Sequence, residues 1–198
     1  MRRGPRGRPG VNRIPPAEHG HITDTERGTG VETNRVPVQD MSTSETGCCP
    51  KFDPADWDDK EFHLRDKLFV KGKTVNFLHM PLNMKGMMTR TWEKIRAAGA
   101  ESPDQFLLLS CDPSPWRGEH YFWVDREVDG LDNVKLSGDF LTRVFEGPFK
   151  DAGKWAKETE EFARAKGRPM QRLFMYYTTC PACAKHYGKN YVVGFAQV

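Results

Sequence analysis

An order of segments that occurs twice constrains the fold of this chain more than any other feature of its sequence. The first copy begins with KTVNFLHMPL, where apolar and polar residues alternate as in a strand until a proline ends the run. Apolar side chains then recur at helical spacing from Met84 to Ile95, and Gly99 is expected to end this amphipathic helix. Two further strands are predicted at residues 105–110 and 120–128.

The second copy follows the same order. VKLSGDFLTRVFEG (134–147) predicts a long strand, and Trp155 and Phe162 then share one face of a helix within KWAKETEEFARAKG. Strands are predicted again at residues 172–178 and 190–198. Each half therefore predicts strand, helix, strand, strand, and the fold class is α+β.

The composition changes sharply near residue 47. Residues 1–46 contain no Trp, Phe, Tyr, Leu or Lys, so they cannot bury enough apolar surface to offset their ordering entropy. We expect residues 1–46 to be a disordered N-terminal tail that adds nothing to the core, with Met41 as a candidate natural start. Residues 47–72 are predicted to form an arm packed on the domain, which then occupies residues 73–198. Four aromatic side chains are expected to anchor the arm: Phe52, Trp57, Phe62 and Phe69.

Charge and hydropathy narrow the classes of partner. The net charge of +3 comes from 30 basic and 27 acidic residues that are interspersed, so nucleic acid is an unlikely partner. The sequence has no apolar run near the roughly 20 residues that span a bilayer, so we expect no membrane partner and a cytoplasmic location. In a reducing compartment, the five cysteines favour free thiols, a metal site or a redox pair over disulfides. No pattern fixes the oligomeric state.

The segment LSGDFLTRVFEGPFKDAGKWAKETEEFARAKG, followed by YYTTCP, resembles the second half of the GyrI-like small-molecule-binding domain. The resemblance covers residues 74–198. It implies two strand-helix-strand-strand (SHS2) modules related by a pseudo-twofold axis, with antiparallel sheets, helices packed on one side and a ligand cavity between the modules. Members of that family sense or sequester planar, hydrophobic and often cationic compounds. Some relatives hydrolyse strained cyclopropane rings, and many similar sequences carry a hydrolase label.

One departure from the family concerns the acid that meets a cationic ligand. Such domains commonly place a buried Glu in the strand that corresponds to RLFMYYT, where this chain has no acid. Glu119 and Glu146 are the candidate catalytic carboxylates in its place. Buried between aromatic faces, either would have a raised pKa and could act as general base or acid on water. The alternative is that Glu119 is a turn residue and that Glu146 favours a nearby helix N-terminus.

The aromatic residues of the later strands predict a ligand pocket. Neighbouring residues of a strand face opposite sides, so each strand can present a ring to either face. Rings suit flat ligands, and their faces also attract cations. The alternative is that these are ordinary core and rim side chains. The predicted ligand-binding residues are Tyr121, Trp123, Tyr176, Tyr177 and Phe195.

The cysteines support a second class of function. Cys180 and Cys183 form a CxxC motif, and Cys48 and Cys49 would complete four thiolate ligands if the arm packs against that motif. Zinc is then the expected cofactor, and the chain would be a zinc-stapled interaction module. His186 is a further candidate ligand, and inert thiols or a redox dithiol are the alternatives.

Overall fold

The computed structural model describes residues 31–198. Within these residues the sheet has seven strands, and three α-helices accompany it. The strands are β1 (Glu61–Phe77), β2 (Met80–Pro81), β3 (Leu108–Ser114), β4 (Arg117–Trp123), β5 (Asp132–Glu146), β6 (Arg172–Tyr177) and β7 (Tyr191–Gln197). The helices are α1 (Met84–Ala97), α2 (Ala152–Ala165) and α3 (Pro181–Tyr187).

Six of the strands close into an antiparallel barrel. Their order is β1-β4-β3-β6-β7-β5, and β5 pairs with β1 to complete the circuit. Closure depends on the middle of β1, because residues 69–71 pair with β4 on one side and with β5 on the other. The short strand β2 adds only a hairpin to the end of β1.

The barrel is built from two modules of the same connectivity. The first is β1-α1-β3-β4 and the second is β5-α2-β6-β7, and in each module the first strand pairs with the last, which pairs with the middle one. The modules meet through equivalent strands, β1 with β5 and β3 with β6, both antiparallel. This pattern is what a twofold relation between modules requires. The predicted α+β class with two SHS2 modules is confirmed.

The core has an inner and an outer layer, because successive residues of a strand face opposite sides. Along β4, Tyr121 and Trp123 belong to the cluster inside the barrel, whereas Phe122 packs outside against Met87 and Ile95 of α1. On the second module, Trp155 and Ala163 of α2 likewise pack on outward-facing residues of β6 and β7. Both long helices therefore cover the outer face of the barrel.

The segment before residue 73 differs from its prediction. β1 starts at Glu61, so residues 61–72 are a strand of the barrel rather than an arm. The pattern was obscured by a bulge between Leu64 and Lys67, where Asp66 has a φ of +48° and the alternation changes phase. The segment 31–60 also contributes to the core, since Val36 is buried there.

Other boundaries also moved. Residues 1–30 of the predicted tail lie outside the described residues. Residues 31–46 were expected to add nothing to the core, but Val36 belongs to it. The CxxC segment opens helix α3. None of the helices between residues 31 and 198 has both the length and the apolar character needed to cross a bilayer.

Candidate functional site

The two modules meet on the outer face at β3 and β6. Leu108 of β3 packs with the apolar cluster under α1, and Met175 of β6 packs with Trp155 of α2. Ser110 pairs directly with Met175 across the junction. Ser110 therefore lies between two helix-covered clusters, on the same outer face.

A chain of hydrogen-bonded polar side chains begins at Ser110. Ser110 Oγ lies 2.9 Å from His120 Nδ1, and His120 Nε2 lies 3.2 Å from Thr74 Oγ1. Thr74 Oγ1 donates to Asn76 Oδ1 at 2.8 Å, and Asn76 Nδ2 donates to Asp112 Oδ1 at 3.1 Å. All of these except Asp112 are buried. Burial lowers the pKa of His120 to about 4, against a smaller opposing effect of Asp112, so its ring is neutral at pH 7.

Aromatic pairs from both modules accompany Asp112. Phe77 and Trp116 of the first module have ring centroids 5.8 Å apart, and Phe149 and Tyr177 of the second are also 5.8 Å apart. Asp112 bonds to the residue next to Phe77, and its charge adds to the effect of burial in raising the pKa of Tyr177. Its other oxygen, Oδ2, lies 3.0 Å from His79 Nδ1. We call the surface defined by the two aromatic pairs and Asp112 the inter-module cleft.

Glu119 faces the opposite way, into one end of the barrel. Tyr121 Oη donates to Glu119 at 2.8 Å, and Arg172 donates to Tyr121 Oη at 2.8 Å and to Glu119 at 3.2 Å. Arg172 also lies 3.1 Å from the sulfur of Cys111. We call Glu119, Tyr121, Arg172 and Cys111 the barrel mouth.

The protonation of the barrel mouth differs from expectation. Burial acts to raise the pKa of Glu119, but the hydrogen bond from Tyr121 and the charges of Lys71, Arg172 and Arg117 outweigh it, so the pKa lies below its usual range. The expected raised pKa is therefore wrong. Glu119 is an ionised carboxylate at neutral pH, which suits a base and not an acid.

The four predicted cysteine ligands lie together at the other end of the barrel. The sulfur atoms of Cys48, Cys49, Cys180 and Cys183 all lie within 4.8 Å of one another. Cys180 caps α3 and accepts a hydrogen bond from the Cys183 amide, while Cys49 Sγ accepts one from the Cys180 amide, both at 3.5 Å. Tyr187 of α3 donates to the Cys49 carbonyl at 2.7 Å. Four sulfurs this close can hold one metal ion, and the donor set suits Zn²⁺.

A family model described as bacterial hydrolase matches residues 39–198. The chain belongs to this bacterial hydrolase family. The membership agrees with the resemblance to GyrI-like domains. The fold is also similar to a solved structure of SAV2435 bound to tetraphenylphosphonium, with a TM-score of 0.44, 15% identity, and coverage of 70% of this chain and 92% of that one. A search of the curated proteins gave no match.

In this chain the predicted aromatic residues fall into two groups. Tyr121, Trp123, Tyr176 and Phe195 are buried inside the barrel, where their rings pack against other aromatic side chains. Only Tyr177 of the predicted set reaches solvent, with 36% of its surface exposed. Of the predicted ligand-binding residues, Tyr177 is the one that lines the inter-module cleft.

The two predicted carboxylates do not meet. Glu119 is next to Lys71, which pairs with Asp132 at the start of β5, whereas Glu146 ends that fifteen-residue strand. Glu146 is exposed and lines an open groove with Lys189 and Asn190. Ser110, His120 and Asp112 were not predicted as site residues. The predicted strand ended at residue 110, whereas β3 continues to Ser114 and places Ser110 and Asp112 on one face.

Proposed function

We propose that the protein binds a hydrophobic or aromatic small molecule in the inter-module cleft and hydrolyses it. The observation that carries this proposal is that Asp112 bonds beside one exposed aromatic pair, Phe77 and Trp116, and that its charge acts on Tyr177 of the second pair. Phe77 and Trp116 are 56% and 57% exposed, although large apolar side chains are usually covered. The family membership supports a hydrolytic reaction.

The chemistry of the inter-module cleft favours a flat ligand with a positive charge. The ring faces of Trp116 and Tyr177 attract cations, and their edges and apolar bodies contact planar hydrocarbon. The Asp112 carboxylate supplies the opposite charge. A neutral ligand of the same shape would keep the ring contacts and lose the charge term.

Binding can be tested with matched pairs of aromatic compounds, one a quaternary ammonium ion and the other its neutral isostere. Quenching of Trp116 fluorescence is expected on binding, and a Trp116→Phe variant identifies the signal. Asp112→Asn should weaken the cation about tenfold or more, equivalent to about 1.4 kcal/mol, and leave the neutral compound within about twofold. Asp132→Asn, which removes an acid from the start of β5, is the matched control. Equal losses for both compounds would contradict the proposed role of Asp112.

The predicted reaction has a carboxylate that activates water. The two candidates are Asp112 in the inter-module cleft and, at the barrel mouth, Glu119. Its ionised state supports a base, and Tyr121 would orient it. Once a substrate is found by screening small esters and strained rings, the kcat values of two variants distinguish the two locations. Loss of about 10²–10⁴-fold in kcat for Glu119→Gln, with Asp112→Asn unchanged, would place the chemistry at the barrel mouth. The reverse result would place it in the inter-module cleft.

The cysteine geometry supports a second candidate function, a zinc-stapled interaction module. Four thiolates leave no open position on a tetrahedral ion, which is typical of a structural site and not of a catalytic one. Zinc held by Cys48, Cys49, Cys180 and Cys183 would fasten the segment before β1 to helix α3. It would thereby stabilise a surface for a protein partner.

Metal analysis of protein purified without chelators tests the zinc proposal. One zinc per chain is expected, and Cys183→Ser should lose it. Cys111→Ser is the matched control, because Cys111 lies in the barrel mouth beside Arg172 and outside the cluster. Protein that binds no zinc even after zinc is added would eliminate this candidate.

A further inference from the structure

The direction of each hydrogen bond between Asp112 and Ser110 follows from the orientation of the Asn76 side chain. Asn76 Nδ2 donates to Asp112 Oδ1 at 3.1 Å, so the atom of Asn76 that faces Asp112 is its amide nitrogen. The carbonyl oxygen of Asn76 then faces Thr74, which must donate its only hydroxyl proton to it, at 2.8 Å.

The protonation of His120 follows from Thr74. With its proton committed to Asn76, Thr74 Oγ1 can only accept from His120, so the ring carries its proton on Nε2. The lone pair of Nδ1 then faces Ser110 Oγ, which donates to it at 2.9 Å. A serine hydroxyl that donates to a bare imidazole nitrogen, with the far nitrogen held by another group, has the geometry of an activated nucleophile.

The buried side chains from Ser110 to Asn76 are polar, whereas the rest of the outer face under α1 is apolar. Further along the same strands, Val70 of β1 and Phe122 of β4 pack as ordinary apolar core against α1. The polar chain replaces that packing where β3 meets β6. Buried polar groups add little net stability compared with apolar groups of the same shape, so packing alone does not explain four of them in a line.

We propose that Ser110 is a nucleophile, with His120 as its general base, for a carboxylic ester held in the inter-module cleft. The proposal rests on the proposed function of that cleft and adds the attacking atom and the substrate class. Thr74 and Asn76 are positioning residues that keep the His120 ring in the required tautomer. Asp112 anchors the chain.

The reaction balances without any added oxidant or cofactor. Ser110 Oγ attacks the ester carbonyl carbon as its proton passes to His120 Nδ1, and collapse of the tetrahedral intermediate breaks the ester C–O bond. His120 returns the proton to the departing alkoxide, which leaves as an alcohol. Water then attacks the acyl-serine, gives one proton to His120, and releases the carboxylic acid as that proton returns to Ser110 Oγ.

The test uses an alkyl fluorophosphonate on the full-length protein, since an activated serine displaces its fluoride and keeps the phosphonyl group. We expect one adduct per chain, located on Ser110 by peptide mass spectrometry. His120→Gln should slow labelling at least 100-fold. Ser114→Ala, at the end of the same strand, is the matched control and should label at the normal rate. The labelling rate should also stay constant from pH 8 down to pH 5, because the base is already neutral there.

Several results would overturn the inference. These are no adduct on the wild-type protein, an adduct on another residue, or an unchanged rate in His120→Gln. Wild-type labelling needs no variant, so a misfolded His120→Gln protein does not weaken the test. Binding of the aromatic cation is measured in parallel. Protein that binds the cation but forms no adduct refutes the role of Ser110 and leaves the binding function standing, whereas an adduct on Ser110 without cation binding refutes only the latter.

Discussion

Trp57 offers a direct test of whether the segment before β1 belongs to the core. Its side chain is only 4% exposed, and its ring centroid lies 5.2 Å from that of Tyr176 and 5.6 Å from that of Phe62. Its carbonyl accepts a hydrogen bond of 2.6 Å from Thr142 Oγ1. Trp57→Ala keeps this backbone bond and removes the ring, so the perturbation is confined to packing at this end of the barrel.

The expected loss follows from the buried area. An aromatic side chain buries roughly 150–250 Å², and at about 25 cal/mol per Å² this corresponds to about 4–6 kcal/mol. Measured Trp and Phe truncations in cores cost about 3–5 kcal/mol. We expect Trp57→Ala to lower the free energy of unfolding by about 4 kcal/mol, which is a large part of the roughly 5–15 kcal/mol available to a domain.

Urea denaturation followed by circular dichroism measures this loss. The melting temperature should fall by roughly 8–16 °C, since about 1 kcal/mol corresponds to about 2–4 °C in a domain of this size. Trp116→Ala is the matched control, because that ring is 57% exposed, and it should cost less than about 1 kcal/mol. Equal and small losses for the two variants would refute the reasoning and show that Trp57 adds little to the core.

Three further outcomes are expected. The pKa of His120 is 6.5 in the unfolded chain and about 4 in the folded one, so the unfolded chain binds the proton first as pH falls. The free energy of unfolding should therefore drop by about 3 kcal/mol between pH 6.5 and pH 4. His120→Asn should lack this slope in pH-dependent denaturation. The lowered pKa of Glu119 stabilises the fold above its ordinary value of 4.5, and this contribution should be lost as pH falls through the folded pKa. Denaturation of Glu119→Gln at different pH values should lack this dependence. Gly194→Ala would place a methyl carbon 2.1 Å from Thr159 Oγ1 and should cost about 1–3 kcal/mol in urea denaturation, whereas Gly153→Ala in α2 meets nothing within 4 Å and should gain about 0.5–1 kcal/mol.

The order of helices and strands was predictable because it depends on local periodicity. Trp155 and Phe162 share a helical face whatever the rest of the chain does, and both belong to α2. The start of β1 was not predictable, because the bulge at Asp66 breaks the alternation on which a strand prediction depends.

One of the two candidate sites was likewise predictable from local sequence and the other was not. The cysteine cluster could be predicted because Cys180 and Cys183 are close in sequence, and a second close pair precedes β1. The pairing of Ser110 with His120 could not, because it arises from the register in which β3 meets β4, where the two residues are direct partners. A shift of one residue in that register would move every side chain of the strand to the other face.

The double pairing of β1 also determines how the chain can be shortened. A protein that starts at Lys73, where the sequence alone places the domain, would lack residues 61–72 and with them most of the strand that joins β4 to β5. Both neighbours would then present rows of unpaired N–H and C=O groups, which are templates for pairing between molecules. We expect such a truncated protein to aggregate on expression.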